Sequence, residues 1–308
     1  AMTTQTAPRS IDQYLRQLRE ALAGEDTALV QDALYDAEEY LRAELAAARA
    51  LTPPQSEADV LERIASTYGA PEEVAEAYRT TEAKVTAALR MPPPPPKQTV
   101  IGRFFGVFSD SRAWGALFYL LLAMFTGIFY FTVAAVGLSL SAGLAILIIG
   151  VPFFLLFIGF TRVLSLAEGR LVEGLLGVRM PRRPLTPTPG TWWERIKDML
   201  GDWRTWTTLI YMGVQLPLGI FYFTLTVVGL VTSLAMLGLP IGALFHHGEM
   251  VFGEMNGVQL TADFHGLEYV LVPLVGLLLL TTLMHVVRGL GQLHGKFAKA
   301  LLVSRTGD

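Results

Sequence analysis

Gly127-Ile128-Phe129-Tyr130-Phe131-Thr132 recurs letter for letter as Gly219-Ile220-Phe221-Tyr222-Phe223-Thr224. The match extends outward from there. Offset by 92 positions, Asp110, Arg112, Trp114, Leu117 and Tyr119 meet Asp202, Arg204, Trp206, Leu209 and Tyr211. Val136-Gly137-Leu138 returns as Val228-Gly229-Leu230, which makes 14 identities in the 29 positions from 110 to 138. The offset becomes 88 where Gly150-Val151-Pro152 meets Gly238-Leu239-Pro240. It becomes 126 where Arg162, Gly169 and Arg170 meet Arg288, Gly295 and Lys296. The second half of the chain is a tandem repeat, and its second copy carries an insertion between Leu239 and Arg288.

Both copies are built on apolar runs. No Lys, Arg, Asp or Glu occurs from Ala113 to Thr161, nor from Thr205 to Gly248. Runs of that length read as membrane spans, expected near 114–138, 141–163, 206–229 and 268–288. Residues 162–204 carry eight Lys/Arg, and Lys296, Lys299 and Arg305 follow the last span. The excess of basic residues in these segments places both in the cytoplasm, with both chain termini. The insertion, which holds His246, His247, Glu249, Glu254, Asp263, His265 and Glu268 but no Lys or Arg, then lies outside. Leu230–His247 is apolar enough for a fifth span, but a fifth crossing would put the basic tail outside. It is therefore expected as a partly embedded outer segment.

The first 90 residues differ in kind, with 9 Lys/Arg against 16 Asp/Glu. They begin without the apolar run of a signal peptide, so this acidic segment is expected in the cytoplasm. Ser10 with Gln13 and Ser56 with Asp59 have capping-box spacing, and apolar stripes follow each. Gly24, Pro53-Pro54, Gly69 and Pro71 punctuate four helices. So short a helical domain builds a marginal core, and it is expected to pack on its own membrane part, a second copy or a partner. Pro92 to Pro96 then form a stiff polyproline spacer of roughly 15 Å. The fold class is all-α: a small soluble helical domain (1–90), a Pro-rich linker (91–99) and a polytopic membrane domain (100–308).

Composition narrows the function. The sequence has no cysteine, so thiolate chemistry is excluded. The soluble part lacks the basic stripe of a nucleic-acid binder, so direct nucleic-acid binding is not expected. No Walker or Gly-x-Gly-x-x-Gly pattern supports a nucleotide, and no cofactor is implied. Apart from Arg162, Glu268 and Arg288 at their ends, the predicted spans hold no carboxylate or cation, which argues against an ion-coupled transporter. His246, Glu249 and His265 are weak metal candidates, because no His-x3-His pair is present. His285, alone in an apolar span, is expected to bond a neighbouring backbone carbonyl. Trp114, Trp192, Trp193, Trp203 and Trp206 read as interfacial anchors, and so does the 100–112 segment with Phe104, Phe105 and Phe108. Gly127 and Gly219 are expected to let two helices meet at a central seam, lined by Phe129, Tyr130, Phe221 and Tyr222; Gly143 and Gly276 are expected to be peripheral.

Two resemblances accompany this reading. Tyr14-Leu15, Asp36-Ala37-Glu38-Glu39-Tyr40-Leu41 and Gly69-Ala70-Pro71-Glu72-Glu73-Val74-Ala75 resemble the HAAS family, over about 11–80. That family is a helical signalling domain found with PadR-type transcription regulators. Residues 103–302 resemble the "Putative sensor" domain, a four-span bacterial module often placed before a histidine-kinase core; the marks are the two Gly-Ile-Phe-Tyr-Phe segments, Trp114, Trp206 and Leu175-Leu176-Gly177-Val178-Arg179-Met180-Pro181. No kinase core is present here, so kinase activity does not carry over. Together they imply a non-enzymatic signalling protein of the bacterial cytoplasmic membrane, with membrane lipids and a PadR-type regulator as partners and homo-oligomerisation open. A lipid-handling protein or a membrane scaffold is the alternative.

Overall fold

The computed structural model describes residues 8–50, 56–89, 99–146, 150–181, 197, 201–245, 249–255 and 258–303. The Pro92–Pro96 spacer, Trp192, Trp193 and His246 lie outside the described residues.

The N-terminal domain, or head, is four helices: α1 (Ile11–Ala21), α2 (Thr27–Arg49), α3 (Glu57–Thr67) and α4 (Pro71–Leu89). The Ser10 hydroxyl accepts from the Gln13 amide and that of Ser56 from the Asp59 amide, as the capping-box spacing requires. Gly24 and Gly69 end α1 and α3 at φ of 89° and 110°, a conformation that costs a side chain dearly. Tyr14, Leu18, Leu22, Leu41, Leu61 and Ile64 form the core. The Tyr14 hydroxyl donates to the Gly69 carbonyl at 2.8 Å, tying the first helix to the last turn. Burial beside Asp36 pushes the Tyr78 phenol up, so it remains a donor to Asp36 at 2.9 Å.

A short α5 (Val100–Phe105) and a 3-10 turn (Gly106–Ser109) precede the membrane bundle. Four helices follow that are long and apolar enough to cross a membrane: α6 (Ser111–Leu144), α7 (Gly150–Leu176), α8 (Trp203–Phe245) and α9 (Glu268–Leu302). All four run past the expected spans. At 1.5 Å per residue, the 43 residues of α8 extend about 65 Å, twice the hydrocarbon thickness. Leu230–Phe245 is thus a continuation of the third helix, unbroken by Pro240, and not a separate outer segment. Its upper end packs on α9, where Gly276 meets Met236 and the Ser233 carbonyl; Gly276 is therefore not peripheral. The insertion also contains a β-hairpin, β1 (Glu249–Met255) with β2 (Val258–Asp263), paired Glu249 to Asp263 with an irregularity between Val251 and Gly253. The fold is otherwise helical throughout the described residues.

Candidate functional site

The centre of the bundle is polar. Glu168, on α7, is 1% exposed, and His294, on α9, is likewise 1% exposed. Both lie past the spans expected from the apolar runs, on helices that continue beyond them to Leu176 and Leu302. Glu168 accepts three phenols: Tyr119 at 2.5 Å and Tyr211 at 2.7 Å on Oε1, and Tyr130 at 3.0 Å on Oε2. His294 Nε2 lies 2.7 Å from the Tyr119 hydroxyl and 3.1 Å from that of Tyr211, and Nδ1 lies 3.3 Å from that of Tyr222. Gln215, fully buried, donates weakly to Tyr119 at 3.4 Å.

These contacts are reciprocal under the sequence offsets. Tyr119 and Tyr130 stand 92 positions before Tyr211 and Tyr222, and Glu168 stands 126 before His294. Each acid-or-imidazole group therefore binds both tyrosines of its own copy and the lower tyrosine of the other. Arg162 likewise pairs with Asp202 at 3.3 Å and Arg288 with Asp110 at 3.1 Å, the same interaction exchanged between copies. Tyr119 lies eight residues in from Ser111, Tyr211 eight from Trp203, Glu168 eight from Leu176 and His294 eight from Leu302. All four thus stand about 12 Å along their helices from these ends.

A close helix crossing permits this layer. A Cβ on Gly127 would stand 2.7 Å from the Gln215 carbonyl oxygen, and one on Gly219 would overlap the Ala123 carbonyl. Each glycine meets the other helix four residues before its own counterpart. That is where a Cβ points when two helices run the same way, since side chains lean toward the N-terminus. With no lipid-expelling force between helices, such backbone approach is a principal source of association.

The other sequence candidates separate. Tyr130 and Tyr222 turn inward, but Phe129 and Phe221 are 49% and 54% exposed on the outer surface and do not line the seam. Helical geometry places residues one apart about 100° round the axis, so both could not face in. Trp114, Trp203 and Trp206 are exposed, and the Trp114 indole donates to the Phe108 carbonyl at 2.9 Å. His285 Nε2 lies 2.9 Å from the Phe104 carbonyl oxygen, as expected of a lone histidine in an apolar span. His265 is exposed, and its amide is taken by Glu268; Glu249 opens β1. Among the described residues no cluster of three His, Asp or Glu could hold a metal.

A small cavity of about 20 Å³, room for one water, lies beside the layer between Thr161, Arg162, Ser165, Arg204, Thr205 and Thr208. Arg204 Nη1 and Thr205 Oγ1 are buried without a protein partner.

A family model described as "Putative sensor" matches residues 119–302, more than half of the chain, from the first tyrosine of the buried layer to the end of α9. The chain belongs to this family. Nothing matches among curated proteins or solved structures. The sensor family segment thus contains every member of the buried polar layer. It also contains Arg179, on the segment that follows α7, which reaches out to the soluble head. Arg179 is held by Asp32 of α2 at 3.1 Å, Glu82 of α4 at 3.2 Å and Glu173 of α7 at 3.3 Å. Lys299, five residues beyond His294, pairs with Asp26, the N-cap of α2.

Proposed function

We propose that this sensor-family protein is a non-enzymatic membrane relay: a stimulus in the bilayer or at its outer face changes the packing of the four-helix unit, and the head reads the change. The observation that carries it is the pair of attachments to α2. The helices that present Glu168 and His294 to the buried layer are the ones whose inner ends hold Asp32 and Asp26. A shift of α7 or α9 therefore bears directly on the head. Arg179 and Asp32 are largely withdrawn from water, with 14% and 8% side-chain exposure, so parting them would leave uncompensated buried charges, which costs far more than losing a surface ion pair. The relay works as a population shift between two packings.

The output we assign to the head is a PadR-type regulator. The support is the HAAS-like residues, of which Tyr14 and Gly69 are bonded to each other. In a bacterial cell the bundle would sit in the cytoplasmic membrane with head and tail inside. A reporter after Asp308 is expected to share the sidedness of one at the Ala1 end and to oppose one near Asn256. Termini on opposite sides would remove the head from the basic inner ends and overturn the relay.

A further inference from the structure

We infer that the Glu168–tyrosine–His294 layer is a proton-binding site, holding one exchangeable proton shared between the Glu168 carboxyl and the His294 imidazole. The hydrogen-bond inventory leads there. Tyr119, Tyr130 and Tyr211 each spend their single proton on Glu168. The Tyr119 and Tyr211 oxygens can then only accept from His294, so Nε2 carries a hydrogen. Tyr222 faces Nδ1 and either donates to it or accepts from it. With Tyr222 donating, every one of these groups is satisfied, but the layer carries one negative charge.

No counter-charge is at hand. The groups facing the layer are Tyr119 and Tyr130 from α6, Glu168 from α7, Tyr211, Gln215 and Tyr222 from α8, and His294 from α9. Among the described residues, no Lys or Arg pairs with any of them; Arg162 and Arg288 are engaged by Asp202 and Asp110, and Arg204, its Nη1 buried without a protein partner, lies in the neighbouring cavity beside Arg162 and bonds to no member of the layer. An isolated carboxylate in so dry a place is costly, and taking up one proton removes the cost. The proton can rest on Nδ1, leaving imidazolium and carboxylate bridged by the Tyr119 and Tyr211 hydroxyls, or on Glu168, leaving both groups neutral. Either way one proton enters, no bond other than O–H or N–H forms, and the net charge goes from minus one to zero. Phenol protons reorganise between the two placements through bonds already present, and Gln215 Oε1, buried and unpartnered, is an acceptor within the same layer. Two copies of a duplicated unit with Glu in one and His in the other give a pair that a single proton neutralises; two acids or two imidazoles would not.

This site stands on side-chain geometry and is independent of the relay to the head. Its test is infrared difference spectroscopy on the full chain in lipid nanodiscs, titrated with acid. One carboxyl is expected to appear in its protonated form or one imidazole in its cationic form, as a single coupled step that is absent in both Glu168→Gln and His294→Gln. Where the proton rests on Glu168, Tyr130→Phe, which keeps the ring and removes one donor to the carboxylate, is expected to raise the midpoint by about one pH unit, a tenfold change in proton concentration; where it rests on Nδ1, the carboxylate is ionised on both sides of the step and the midpoint stays. If the step survives in Glu168→Gln or in His294→Gln, or if a protonated carboxyl appears and Tyr130→Phe leaves its midpoint where it was, the proton site is refuted. Should one glutamine variant fail to assemble, the other decides, and a protonated carboxyl whose midpoint Tyr130→Phe leaves unmoved refutes the site in either case.

Discussion

Replacing Gly127 and Gly219 together by Leu is expected to destroy the bundle in detergent, while the same double change at Gly143 and Gly213 leaves it folded. The distinction is steric. The nearest atoms to the first pair are backbone, the Gln215 and Ala123 carbonyls, which cannot move without parting the helices. Nothing lies within 4 Å of a Cβ on Gly143 or Gly213. Overpacking costs about 1–3 kcal/mol where side chains can yield, and a backbone contact sits at the top of that range or above it at each site. Separating α6 from α8 would also withdraw Tyr119 and Tyr130 from Tyr211 and Tyr222, breaking the buried layer they share with Glu168 and His294. The measurement is thermal unfolding in detergent followed by circular dichroism. Equal melting of the two double variants would show that the glycine crossing does not hold the bundle together.

The second large effect is at Arg179. Changing it to Glu places four acids, Asp32, Glu82, Glu173 and the new carboxylate, at one partly dry point. Breaking a buried pair while leaving its partners in place costs about 3 kcal/mol or more. The head is therefore expected to leave the bundle. Amides at the start of α2 should exchange with deuterium on the order of 100-fold faster, since 1.4 kcal/mol is a factor of ten. Arg42→Glu, which removes an exposed pair with Glu38 on the same helix, is expected to change little. Unchanged exchange in Arg179→Glu would mean that the head is held by other contacts.

Much of this architecture was legible from residues. The repeated Gly-Ile-Phe-Tyr-Phe-Thr segment announced the two equivalent helices, and the caps at Ser10 and Ser56 placed the starts of α1 and α3. The buried layer was hidden by the very feature that revealed the spans. Arg162, Glu168 and Arg170 look like the wet end of a helix, yet α7 continues to Leu176 packed in the bundle, and one of its faces is buried. Glu168 lies on that face, next to Gly169, which packs on Met180. The signal that could have found it was the offset of 126, which pairs Gly169 and Arg170 with Gly295 and Lys296 and so sets Glu168 against His294. The hairpin was missed for a plainer reason. Asn256-Gly257, between two short runs of alternating character, is the strongest short-range hairpin sequence, but the apolar helices on either side dominate the pattern. Tyr130 and Phe129 could be told apart only by the rotation of the helix about its axis, which a run of uniformly apolar residues does not specify.

The central claim is that the state of the buried layer is felt by the head through the inner ends of α7 and α9. The most direct measurement is hydrogen–deuterium exchange at Asp26–Asp32 in Glu168→Gln, a change confined to the bundle interior and 11 residues from Arg179. The relay predicts altered exchange at the start of α2, with the core amides of α1 and α3 unchanged. Exchange at Asp26–Asp32 identical to the parent protein, in a variant whose bundle remains folded, would contradict it.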